Sequence, residues 1–175
     1  MKNKITKSGA IKLVILLVAG LLIGVGSEAA DTGQVSATVT AQNITVSVTD
    51  GSVSYGTLAL SGISATTTGA GNVNDSQIAT NDGNVAEDFN IKGASTTAWT
   101  LAATQGANQY FHKFCNNGTC DVSPTWTALT TNYQTLGTSI ASSGTKEFDL
   151  QIGVPSSTAT FTQQNADVTV QAVAH

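Results

Sequence analysis

The chain has 175 residues, a formal net charge of −4, and only 10% charged against 41% hydrophobic residues. All seven of its cations are lysines, and four of them (Lys2, Lys4, Lys7, Lys12) lie at the extreme N-terminus. From Ala30 onward three lysines face ten acids, a net charge of −7. Nucleic-acid binding needs cations that displace counterions from phosphate, and an anionic membrane surface needs a basic patch. Three scattered lysines supply neither.

The first element is a targeting segment. The four N-terminal lysines precede an apolar run over residues 13–25, and the small residues Ser27 and Ala29 follow. This order is that of a secretory signal peptide over residues 1–29, with a mature chain of residues 30–175 starting at Ala30 or Asp31. An uncleaved anchor and a prepilin leader are the alternatives. The prepilin reading is opposed by Lys12, which interrupts the start of the apolar run. Asp31-Thr32-Gly33 matches the triplet of aspartic proteases, but that chemistry needs two carboxylates sharing a proton, and there is no second triplet.

After the leader the hydrophobic period is two. Val35, Ala37 and Val39 alternate with polar residues, as do Ile44, Val46 and Val48. Asp50-Gly51 predicts a turn, and a strand resumes at residues 53–60. Residues 61–74 are rich in Gly, Ser and Thr and read as a loop. Asp75, Asn81, Asp82, Asn84, Glu87 and Asp88 then cluster hard oxygen ligands. Of these, Asp75, Asp82, Glu87 and Asp88 are candidate carboxylates for a structural calcium ion, although their spacing is not that of an EF-hand. No other cofactor is expected.

Phe89 and Ile91 alternate with Asn90 and Lys92, and Trp99 with Leu101 flank Thr100. Trp99 and Trp126 have two readings. Either they fill the core of alternating strands, or they present rings on which a sugar could stack. Cys115 and Cys120 bracket Asn116-Asn117-Gly118-Thr119. In an exported chain they are expected to form a disulfide, as a staple across an Asn-Gly hairpin turn. His112 could join them as a zinc ligand, but a fourth ligand is lacking. Residues 147–154 give the clearest strand: Phe148, Leu150, Ile152 and Val154 alternate with polar partners. Glu147 and Asp149 would share its wet face, roughly 7 Å apart at the strand rise. That spacing suits a glycosidase pair as well as a solvated face. Val168 and Val170 carry the last strand.

No stretch after the leader has a helical period, and Gly-containing turns punctuate the strands. The fold class expected is all-β: one antiparallel β-sandwich domain over residues 30–175, of jelly-roll or immunoglobulin-like topology.

Three phrases carry a resemblance. Residues 79–93 run into the Trp99 strand, and residues 148–152 and 167–172 follow as closing strands. Together with the leader they resemble secreted bacterial β-sandwich surface proteins, and more loosely the camelysin/TasA group of matrix-fibre subunits. The resemblance implies a non-enzymatic structural protein of the cell surface: secreted, a fibre or biofilm-matrix subunit or an adhesin, associating with itself or with other surface proteins. It implies no catalytic residue. The alternative expectation is a secreted carbohydrate-binding module with glycans as partners. No nucleic acid is expected as a partner, and no membrane once the leader is removed.

Overall fold

The computed structural model describes residues 33–175; the expected leader and the Asp31-Thr32 pair lie outside the described residues. The chain divides into two compact units, Met1–Val39 and Thr40–His175. The described part of the first unit, residues 33–39, contains no strand and is exposed throughout. The strand expected at Val35, Ala37 and Val39 is therefore not formed. Val35 is 92% and Val39 96% exposed, so no apolar neighbour fixes their alternation into a sheet.

The second unit is all-β, with no helix among the described residues. The strands are β1 (Val46–Val48), β2 (Ile63–Ala65), β3 (Gln77–Asn81), β4 (Glu87–Gly93), β5 (Thr100–Leu101), β6 (Gln109–Cys115), β7 (Thr127–Ala128), β8 (Gln134–Ile140), β9 (Thr145–Gly153) and β10 (Val168–Ala174). The larger sheet runs β1-β3-β9-β6-β5, with β2 beside the end of β9 and β7 beside β6. The smaller sheet runs β10-β4-β8. Every pairing between strands is antiparallel except β5 with β6. This arrangement is consistent with a β-sandwich.

Both sheets contribute to one core. Phe89 and Ile91 of β4 and Leu136 of β8 meet Ala79 of β3, Phe114 of β6, and Phe148 and Leu150 of β9, with Leu129 among them. The alternation of β4 explains its share, since Glu87, Phe89, Ile91 and Gly93 all point to one buried face. At the paired edge of β8 the register with β4 shifts on both sides of Phe89. There Ser139 adopts a positive φ of 54°, and its N–H donates to Asp88 Oδ1 at 2.8 Å. A carboxylate thus takes the amide that the irregular ladder frees.

β9 departs from its sequence reading. Phe148, Leu150 and Ile152 are buried as expected, but so is Asp149 at 4% exposure. The cause is residues 61–76, which do not run as a solvent loop. They contain β2, and Ser64, Thr66 and Thr67 are buried. Thr66 N–H donates to the Leu150 carbonyl at 2.8 Å, which sets this segment along the edge of β9, from where its side chains reach the face that the alternation assigns to water. Its hydroxyls take over the role of water. Asp149 Oδ1 accepts from Thr66 Oγ1 at 2.8 Å and from Ser76 Oγ at 2.6 Å.

Candidate functional site

The second unit contains an open cleft of about 920 Å³. Leu150 and Ile152 of β9, Val154 just past its end, and Val168 and Val170 of β10 line it. Residues 51–58 and 158–167 line the remaining sides. The first of these was expected to be a strand and is not one. Val53, Tyr55 and Leu58 still turn partly inward while Ser52, Ser54 and Thr57 face out. The alternation is present without the ladder. Gly56 interrupts it with φ at 68°, a conformation that costs glycine little and other residues more.

Among the polar residues that line the cleft, Tyr55 and His112 form a pair. Tyr55 Oη and His112 Nε2 are 3.1 Å apart, and the rings meet edge to face with centroids at 5.9 Å. His112 is 3% exposed, and burial pushes its pKa down to about 4, so the imidazole is neutral at pH 7. Its Nδ1 has no hydrogen-bond partner among the described residues. Burial likewise raises the Tyr55 phenol, with the Asp75 and Asp149 carboxylates adding to the effect. A neutral, inward-held pair of this kind can give or accept one hydrogen bond.

The expected calcium carboxylates are not brought together. Asp75 accepts from Gln77 Nε2 at 3.1 Å, and Asp82 is exposed. Asp88 lies 2.7 Å from His175 Nδ1. The Ser139 amide, and then His175, hold its carboxyl below the usual range. Glu87 is fully buried; its Oε1 accepts from Thr45 N–H at 2.9 Å, and its Oε2 has no partner among the described residues. Among the described residues no three His, Cys, Asp or Glu side chains are placed to hold a metal ion. The hard oxygens instead fasten the start of β1. Asn84 Oδ1 accepts from Asn43 N–H and its Nδ2 donates to the Ala41 carbonyl, both at 2.8 Å. Gly83 sits so close to the Asn43 carbonyl and the Glu87 carboxylate that a Cβ would meet both.

Cys115 and Cys120 form a disulfide with Cα atoms 6.0 Å apart. It is not a staple across a hairpin, because Cys115 ends β6 while Cys120 lies in a turn outside any strand. The reason is local. Gly118 takes a positive φ of 72°, and Asn117 uses Oδ1 to accept from Thr119 N–H at 3.0 Å. This is an Asx turn, which bends the chain away from the ladder. The disulfide also occupies both sulfurs, which removes the zinc reading. Glu147 and Asp149 line a recess of about 250 Å³ beside this loop. Asp149 is held by two hydroxyls, so the recess lacks a free pair of carboxylates.

Neither tryptophan enters the core; Trp99 and Trp126 are both half-buried. Trp99 lines the cleft, donates from Nε1 to Thr158 Oγ1 at 3.3 Å, and lies 6.3 Å from the Tyr110 ring. His112 and Tyr55 were not singled out as a pair by sequence reasoning. Fifty-seven positions separate them, and no local motif joins them.

No family model, curated protein or solved structure matches the chain.

Proposed function

We propose that the protein is a non-enzymatic, secreted structural subunit of a bacterial cell surface that associates with copies of itself. In this reading residues 1–29 are a cleaved signal peptide, and the two sheets form a sandwich of jelly-roll or immunoglobulin-like type. The observation that carries the reading is the segment of residues 34–40. It alternates Val35, Ala37 and Val39 with hydroxyl and amide side chains, carries no charge, Gly or Pro, and leaves both valines more than 90% exposed. An uncharged segment with strand alternation and β-branched residues, left open to solvent, is a template for pairing with another chain. The test is electron microscopy of the concentrated exported protein, beside a variant lacking residues 30–40. Filaments are expected from the first and none from the second, with the variant still folded by circular dichroism. Unfolding of the variant, or filaments from both, would remove the segment from assembly.

A second reading, a carbohydrate-binding module, draws support from Trp99 and Trp126, which keep part of each indole in solvent. It predicts quenching of tryptophan fluorescence by oligosaccharides on a glycan panel, lost in Trp99→Ala or Trp126→Ala.

A further inference from the structure

Between β1 and β2 the chain runs along the cleft. Thr49 N–H donates to the Ile78 carbonyl at 2.9 Å, and Ser61 N–H donates to the Pro155 carbonyl at 3.0 Å. Between these two fastenings, among the described residues, one hydrogen bond ties the stretch to a sheet: that of Tyr55 Oη with His112 Nε2. The stretch bends at both ends in the left-handed region, with Asp50 at a φ of 65° and Gly51 at 64°, then Ser61 at 59°. Gly56 in its middle has open space where a Cβ would stand. Val53 and Tyr55 rest against the core, while Leu60 stays 48% exposed. A segment with turns at both ends, few buried contacts and one polar tie has low local stability and opens before the sheets do.

We infer that residues 50–60 form a flap along this cleft, latched by the Tyr55–His112 hydrogen bond and released by acid. A neutral imidazole offers one lone pair and one N–H. Tyr55 Oη has no other partner among the described residues and its phenol stays protonated, so its O–H donates and the lone pair lies on Nε2. A proton taken from solvent fills that lone pair and removes the acceptor of the latch. The imidazolium is then a buried cation, and its Nδ1–H has no acceptor among the described residues. The surrounding groups do not compensate it. Tyr110 shares its face of β6, and Lys113 turns the other way, over the Phe111 ring. Asp149 of β9 and Asp75 ahead of β3 act on the Tyr55 phenol, whereas burial is what acts on His112. Asp167, ahead of β10, is exposed at the cleft margin, and no lysine lines the cleft. Water must therefore reach the ring. β6 is held by β9 on one side and β7 on the other, so the element that yields is the flap. Its release uncovers the apolar side chain of Ile152, which stands directly across from His112 in the β6–β9 register.

The test adds one thiol to the full-length chain and measures how fast it reacts. Ile152→Cys places the thiol beside the latch, and Ile91→Cys places one in the closed core as a comparison. Dithiodipyridine reacts with thiols in acid as well as at neutral pH, and each rate is divided by that of an unstructured cysteine peptide at the same pH. Between pH 7 and pH 4.5 the Ile152→Cys thiol should become about fiftyfold more reactive, while the Ile91→Cys thiol stays closed. Tyr55→Phe removes the latch and keeps the ring, so at pH 7 it should speed the Ile152→Cys reaction about fivefold. His112→Gln does not titrate and should abolish the acid response. Val154→Cys, just past β9 and lining the same cleft, gives the same reading if Ile152→Cys does not fold. If the cleft and core thiols open together as the pH falls, the whole domain unfolds and the flap is overturned. An acid response that is absent, or that survives His112→Gln, overturns the release by acid, and a neutral rate unchanged by Tyr55→Phe overturns the latch.

Discussion

The two halves of β9 have the same sequence pattern and different surroundings. Phe148 and Leu150 pack in the core shared with Phe89 and Ile91 of β4, and only their margins reach the cleft. Ile152, and Val154 just past the strand, continue the same face into the cleft, whose other lining residues fall in 52–58 and 158–166, outside any strand. Alternation sets which face of a strand is apolar. It does not say whether a strand of the same chain covers that face. The closed half is buried by its own chain, and the open half lines the cleft.

The largest expected effect breaks that comparison at its closed end. Phe148→Ala removes a ring that is 2% exposed and should cost about 3–5 kcal/mol in denaturant unfolding. Ile152→Ala, two repeats of the pleat further along and lining the cleft, should cost about 2 kcal/mol, since its site has room to relax. Equal costs would mean that the cleft end is packed as tightly as the core.

The next effect is a pH dependence at the open end. His112 titrates at about 4 in the folded chain and at 6.5 when unprotected, because burial disfavours the imidazolium. Between these values the unfolded chain binds more protons than the folded one. Stability is therefore full above pH 6.5 and falls as pH drops toward 4, by about 3 kcal/mol on this group alone. Equilibrium unfolding at pH 7 and pH 4.5 should show the loss, and His112→Gln should flatten it. An unchanged slope in that variant would assign the loss to other groups.

Much of the closed half was legible in the sequence. The strands around Phe89, Phe148 and Val168 announce themselves because each has one apolar and one polar face, and each finds a partner strand. Asp149 was misplaced because its burial depends on Thr66 and Ser76, more than seventy residues away in sequence. A hydroxyl-rich stretch reads as loop whether it faces water or a carboxylate. Residues 53–60 and 35–39 have the strand period but no ladder, since a strand needs a neighbour and the period cannot supply one. The Tyr55–His112 pair had no local signal at all. The calcium reading failed for a further reason: Asn81, Asn84 and Glu87 turn their oxygens and amides on the backbone of residues 41–45 and on their own loop, not on a common centre.

The disulfide sharpens the comparison at lower amplitude. It closes a loop of six residues at the end of β6, close to the core through buried Phe114 and Cys115. Closing so small a loop removes little freedom from the unfolded chain, so reduction should lower stability by about 2 kcal/mol. Unfolding with and without a reductant measures it. Filament formation should survive reduction at temperatures where the chain stays folded, because the bond lies outside the segment of residues 34–40 proposed to assemble. Loss of filaments on reduction, with circular dichroism unchanged, would bring this loop into the contact.

The smallest effect on stability separates the two regions most sharply. Val35 and Val39 are exposed in the single chain, so replacing both by Ser removes no buried surface. Surface changes of this kind shift stability by about 0.5 kcal/mol or less, and the thermal midpoint of the dilute protein should not move. In the self-association proposed above, the same two side chains are the ones that become buried against a second copy. Burying a valine is favourable by about 1.5 kcal/mol or more, so losing two weakens each contact by roughly a hundredfold. Sedimentation at rising concentration should then show the Val35→Ser/Val39→Ser chain as a monomer where the parent chain assembles. A midpoint lowered by several degrees in the dilute variant would instead place these valines in the fold of their own chain, and the distinction between a closed and an open half of β9 would no longer hold.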